Sequence, residues 1–186
     1  LALSGSGAIA SSSGITNNNN LDISNTTSGA SVVSLAGSGT TALGNQTLTI
    51  TNATGTLSGV ISGTGNIVLT TGTQTFSGAN TYSGSTTLSG GVLALGIAQN
   101  GTTSGPMGTT GSIIFSGGTL QASASNTTDY SARFSTNAGQ AYSIDTNGQN
   151  VTWASNLTSS GGSLTKLDSA VTPGSLILTG TNTYSG

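Results

Sequence analysis

GTQTFSGANTYSGSTTLSGGVLALG, residues Gly72–Gly96, decides the fold. It breaks into short alternating runs, each closed by a Ser-Gly or Gly-Gly step, a pattern of strands punctuated by turns. Its middle, SGANTYSG (Ser77–Gly84), returns as TGTNTYSG at Thr179–Gly186, so that Tyr82 and Tyr184 stand 184 − 82 = 102 positions apart. A strand-and-turn unit that recurs in sequence points to stacked repeats rather than to a compact globule. The functional question then concerns surface and reach more than a single deep pocket.

Outward from this stretch, strand candidates four to six residues long arrive about every ten residues. They include Val32–Leu35, Gln46–Thr51, Thr56–Ile61, Asn66–Thr70, Thr73–Ser77, Ser85–Leu88 and Val92–Leu95. Ser112–Phe115, Thr119–Ala122, Ala141–Asp145, Asn150–Ala154, Ser163–Lys166 and Ser175–Thr179 follow. Side chains alternate along a strand, so Leu48 with Ile50, Ile67 with Leu69, Leu93 with Leu95, and Ile113 with Phe115 should point inward. Val151 with Trp153 and Leu176 with Leu178 obey the same parity. No window holds a 3.6-residue period with caps, so almost no helix is expected.

Short strands at this spacing would also suit a two-layer sandwich. The recurrence of sequence and the near absence of Lys and Glu, which normally guard sheet edges, favour a parallel β-helix, where edges exist only at the two ends. At about 20 residues per coil the chain would make roughly nine rungs, a rod on the order of 45 Å. The expectation is one all-β segment over 1–186, a right-handed parallel β-helix. Its repeat units run approximately over 44–96 and 144–186, with intervening rungs and loops at 97–143. Both ends read as cuts through a pattern, so a longer parent chain is expected.

Composition narrows the function. Of 186 residues only six are charged, two Lys/Arg against four Asp/Glu, and there is no His and no Cys. Two cations cannot neutralise a phosphate backbone, which removes nucleic acid as a partner. No apolar run approaches the roughly 20 residues of a membrane-crossing helix, so no direct membrane insertion is expected. Residues 1–13 lack the basic start and apolar core of a signal peptide.

Two stretches closely resemble the autotransporter-associated β-strand repeat of bacterial passenger regions. They are SGVISGTGNIVLTTGTQTFSGANTYSGSTTLSGGVLALG (Ser58–Gly96) and IDTNGQNVTWASNLTSSGGSLTKLDSAVTPGSLILTGTNTYSG (Ile144–Gly186). Between them GSIIFSGGTLQAS (Gly111–Ser123) is similar to the family's following strand pair. The resemblance implies a right-handed parallel β-helix exported by the type V route, with a signal peptide and a C-terminal membrane barrel outside this fragment. It implies an extracellular, cell-surface location. Two departures stand out: Gln74 replaces the apolar residue found as Leu176 in the second unit, and LDSAVTP should bulge as a loop over Asp168–Pro173, with Pro173 off the ladder.

The inventory for chemistry is thin. Glycoside hydrolysis needs two carboxylates held about 5–9.5 Å apart, and the closest in sequence, Asp129 and Asp145, are 145 − 129 = 16 residues apart. Without His or Cys there is no triad and no zinc set; isolated Asp residues do not make a calcium site. No enzyme activity, metal or cofactor is expected. The seven Asn-x-Ser/Thr sites are weak signals in so Asn-rich a chain, and the Thr-x-Thr runs, compatible with ice or crystalline surfaces, are also ordinary β residues. The richest aromatic and charged segment is Ser125–Ala138, where Asp129, Tyr130, Arg133 and Phe134 are the candidate contact residues. The reading is a non-catalytic stalk or adhesive segment whose partners are host or abiotic surfaces, glycans or sister rods. The alternative is a filament subunit joined end to end.

Overall fold

In the computed structural model, which describes residues 1–186, every strand-to-strand pairing is parallel. The strands stack into faces of a solenoid. One face runs Thr56–Leu57, Thr73–Phe76, Val92–Leu95, Thr119–Gln121, Ala141–Asp145 and Ser163–Leu167. The pair Ile15–Thr16 and Leu35–Ala36 extends it through a parallel bridge from Gly37 to Leu57. A second face stacks Ala30–Val32, Leu48–Ile50, Ile67–Leu69, Thr86–Leu88 and Ile113–Phe115; a third stacks Ala2–Gly5, Asn20–Thr26, Thr40–Ala42 and Ile61–Ser62. Val151–Trp153 pairs with Leu176–Leu178 at the far end. The fold is an all-parallel β-solenoid of about eight turns, and its helix content is the single 3-10 turn Ser131–Arg133.

Alternation explains what is inside. Leu48, Ile50, Ile67, Leu69, Leu93, Leu95, Ile113, Phe115, Val151 and Trp153 are all buried and belong to one hydrophobic cluster along the rod. Leu176 and Leu178 share that parity and are half-buried against the same cluster. Each buried aliphatic side chain contributes about 1.5–3 kcal/mol. Ordering one residue's backbone costs about 1–2 kcal/mol. A coil with a handful of inward residues therefore holds only through its neighbours.

The coil length changes along the chain, which is why eight turns rather than nine fit 186 residues. Hydrogen-bonded partners on successive coils lie 20 or 19 positions apart in the first half. They lie 27, 24 and 25 apart farther on. The added residues leave the ladder as loops. Two expected strands are in fact corners: Val32–Leu35 divides between Ala30–Val32 and Leu35–Ala36, and Thr56–Ile61 between Thr56–Leu57 and Ile61–Ser62. In the second case Gly59 turns the chain where a Cβ would collide with the carbonyl oxygen of Gly39 on the coil before.

Gln74 enters the core fully buried. Its Nε2 donates to the carbonyl of Gly55 (3.0 Å) on the coil below and to that of Leu35 (2.9 Å) two coils below, while Oε1 finds no partner. The expected loop over Asp168–Pro173 is present, and Val171 at its tip is fully exposed.

Candidate functional site

The coil with the offset of 27 carries its insertion at residues 97–109. This loop is closed by antiparallel bridges from Asn100 to Ser104 and from Asn80 to Gly105. It leans against the segment 126–133 of the next coil, and the two enclose an open cleft of about 320 Å³. Gln99 ties the walls together. Its Nε2 donates to the carbonyls of Gly101 (2.8 Å) and Gly108 (3.0 Å), and its Oε1 accepts from the Tyr130 hydroxyl at 3.1 Å. Asn126 Nδ2 donates to the same hydroxyl at 2.9 Å.

The four contact candidates divide in two. Tyr130 and Phe134 are buried, at 3% and 7% exposure. Phe134 packs edge-on against Phe115 (4.9 Å between centroids) and Trp153 (4.8 Å) and stacks on Tyr142 at 5.9 Å. Such contacts add about 0.5–1.5 kcal/mol each beyond burial, so Phe134 is a wedge of the core. Asp129 and Arg133 remain at the cleft.

They do not pair with each other. Asp129 Oδ1 accepts the backbone N–H of Ser131 and Oδ2 that of Ala154 on the following coil, each at 2.8 Å. Arg133 Nε donates to the carbonyl of Gly111 at 2.9 Å and Nη2 to that of Met107 at 2.6 Å. The guanidinium thus pins the base of the 97–109 loop. Its carbon lies 5.9 Å from the centre of the Tyr130 ring, within cation–π range. No carboxylate lies within ion-pair distance of it; the chain's one ion pair is Lys166 with Asp168 at 2.9 Å. Burial lowers the Arg133 pKa, and Tyr82 and Tyr130 partly offset this. Burial also pushes the Tyr82 phenol up to about 12. Sequence reasoning found Asp129, Tyr130 and Arg133 but missed Gln99, Thr102, Thr109 and Thr128, which line the same cleft.

Two smaller hollows near the N-terminus are lined by small and hydroxyl residues with no charge. Elsewhere stacking brings Asp145, not Asp129, next to a second carboxylate: Asp168 sits at the same corner one coil on. No group of three or more His, Cys, Asp or Glu converges anywhere.

The recurring NTYSG element does one job twice. Asn80 Oδ1 accepts the N–H of Ile61 at 2.8 Å, and the N–H groups of Thr81 and Tyr82 donate to the Ile61 carbonyl. Asn182 Oδ1 accepts the N–H of Leu157 at 2.9 Å, and Thr183 and Tyr184 donate to the Leu157 carbonyl. Each element is a corner that clips one coil to the coil before. The family model described as the passenger-associated-transport-repeat matches residues 71–95 and 173–186, the stretches that contain these two corners. Both corners lie in passenger-associated-transport-repeat matches. No curated protein and no solved structure matches the chain. The cleft lies between the two matched repeats, on coils whose lengths depart from the short regular ones.

Proposed function

We propose that this chain is a non-catalytic part of the passenger of an autotransporter-like bacterial surface protein, a stiff spacer that also presents contact surfaces outside the cell. The observation that carries the reading is the coincidence of the passenger-associated-transport-repeat with a clip between coils. Asn80 and Asn182, inside the matched stretches, serve the stacking of an all-parallel solenoid. Eight coils at about 4.8 Å each make a rod of about 40 Å. Its outer faces carry Thr, Ser and Asn with few charges, so neighbouring rods repel little and can exchange hydrogen bonds with sugars, abiotic surfaces or one another. No helix is long and apolar enough to cross a membrane.

Deleting the gene in the native bacterium, with adhesion and autoaggregation as readouts, tests the adhesive part. Unchanged adhesion and aggregation would remove it. Surface labelling of intact cells with an antibody to the solenoid tests location, and labelling only after lysis would contradict it. The second reading, an end-to-end filament subunit, draws on the low charge of the rod, two Lys/Arg against four Asp/Glu, which leaves little repulsion between copies. Electron microscopy of native material decides between them: isolated rods eliminate the filament.

A further inference from the structure

We propose that the cleft between the 97–109 loop and the 126–133 segment binds a carboxylated saccharide, with Arg133 as the residue that holds the carboxylate. The inference rests on the passenger reading and gives it a partner of definite chemistry. Arg133 has five N–H donors, of which Nε and one on Nη2 are taken by the Gly111 and Met107 carbonyls. The far edge of the guanidinium, Nη1 with the second Nη2 hydrogen, is left for a two-point contact with a planar acid. That geometry is the one Arg matches best. A half-buried cation with no carboxylate in reach is under-compensated, and an incoming anion repairs this.

The rest of the lining selects among anions. Asp129 shares the cleft, and its negative charge disfavours a dianionic phosphate more than a single carboxylate. Each Asp129 oxygen accepts one backbone N–H and keeps a lone pair, so the side chain can also receive a ligand hydroxyl. Thr102 is exposed and lines the cleft, and its hydroxyl makes no hydrogen bond within the protein. Most of the exposed lining is carbon, with the polar groups of Gln99, the threonines, Asp129 and Arg133 set into it, which suits a sugar ring with its C–H face and hydroxyl edge. The volume sits at the small end of the roughly 300–1,000 Å³ usual for ligand pockets, enough for a short sugar unit.

The test is calorimetric titration of the purified chain with a hexuronic-acid disaccharide, its methyl ester and an acidic tetrapeptide. The acid form should bind, more weakly as salt rises, and the ester should not. Thr102→Val, which removes no contact within the protein, should weaken binding severalfold with an unchanged melting midpoint. Arg133→Lys keeps the charge but loses the fork and should weaken it about tenfold or more. Equal binding of the ester overturns the role of Arg133. Stronger binding of the tetrapeptide overturns the saccharide assignment, and no binding of any probe at millimolar concentration overturns the site. The two levels separate on cells. If cells displaying the full protein adhere to a uronate-coated surface equally well with Arg133→Lys, the cleft proposal fails and the passenger reading stands. If deletion of the gene changes no adhesion at all, the adhesive part of that reading fails, and labelling of the solenoid only after lysis sinks the passenger reading itself.

Discussion

Asp145 and Asp168, on successive coils, cap each other's turns. Asp145 Oδ1 accepts the N–H of Ser169 and Asp168 Oδ1 accepts the N–H of Gly148, both at 2.9 Å. Burial alone would raise the Asp145 pKa, but donors on Gln121, Ser169 and Asn147 outweigh it and hold the carboxyl below its usual range. The Thr146 hydroxyl and the Lys166 ammonium hold Asp168 lower still. With both folded-state values below those of the unfolded chain, the folded protein binds fewer protons near the carboxylate range. This stability is therefore complete above about pH 4 and drains away as pH falls through the folded values. The urea midpoint should hold from about pH 7 down to about pH 5 and drop between about pH 4 and pH 2, and Asp145→Asn should flatten that drop while lowering the midpoint at the upper end. An equal pH dependence in wild type and variant would refute the reciprocal cap.

The two NTYSG corners are chemically alike but differently covered, and that predicts unequal costs. Asn80 is fully buried and also donates from Nδ2 to the carbonyl of Pro106 at 3.1 Å, so it joins the clip to the cleft loop. Asn80→Ala strands the Ile61 N–H in a dry interior at about 1–3 kcal/mol for each orphaned partner. Asn182 is only half-buried, so in Asn182→Ala water can replace the acceptor lost by the Leu157 N–H, and the change should cost under about 1 kcal/mol. Hydrogen exchange reads this directly. The Ile61 amide should lose protection far more than Leu157 does in the matching variant, and comparable losses would count against the burial argument.

The core was legible because a strand writes its faces into the chain with period two. Leu93 with Leu95 and Val151 with Trp153 could be placed inward from the letters alone. Corners were harder. In TLSGVI the apolar residues Leu57 and Ile61 keep one parity across Gly59, so two strands on different faces look like one. The strands at Ala2–Gly5, Ile15–Thr16, Asn20–Thr26 and Thr40–Ala42 escaped because Asn, Ser and Gly dilute their alternation. The cleft was half legible: the charged and aromatic residues of 126–134 stood out. The inserted loop that faces them is rich in Gly and Thr, the same letters as the corners, so that apart from Pro106 and Met107 little in it stands out, and its coil offset of 27 is what shows it. Phe134 looked like a contact residue because nothing local shows that Phe115, Tyr142 and Trp153 come from three other strands to enclose it.

Glycine content has a positional test. Gly65, Gly84 and Gly111 form a column in which a Cβ on Gly84 would strike the carbonyl oxygen of Gly65, and one on Gly111 that of Gly84. Backbone cannot yield there without parting two coils. Gly84→Ala should abolish folding or cost more than about 4 kcal/mol, in the class of severe single changes. Gly101, at φ +53°, has no atom within 4 Å of where a Cβ would stand. Gly101→Ala should therefore cost only the left-handed backbone preference, about 1–2 kcal/mol. Circular dichroism and folded yield compare the pair. A well-folded Gly84→Ala protein would mean that the coils are not in the close contact described.

Gln74 sets hydrogen bonding against packing at one core position. Its register partner on the next coil is Leu93, buried like it, and Leu176 fills the equivalent place in the second repeat. Gln74→Leu removes the orphaned Oε1, which relieves a desolvation cost. It also leaves the Leu35 carbonyl without its Nε2 donor, whereas the Gly55 carbonyl keeps the N–H of Thr75 at 2.9 Å. One gain and one loss of about 1–3 kcal/mol each nearly cancel, so the leucine variant should stay within about 1 kcal/mol of wild type. Gln74→Ala loses the same donor and opens a cavity as well, and should cost about 2–5 kcal/mol. Chemical denaturation of the three proteins side by side decides it. If leucine is as damaging as alanine, the amide's bonds to the coils below outweigh packing, and Gln74 is there as a cross-coil tie rather than as a tolerated filler.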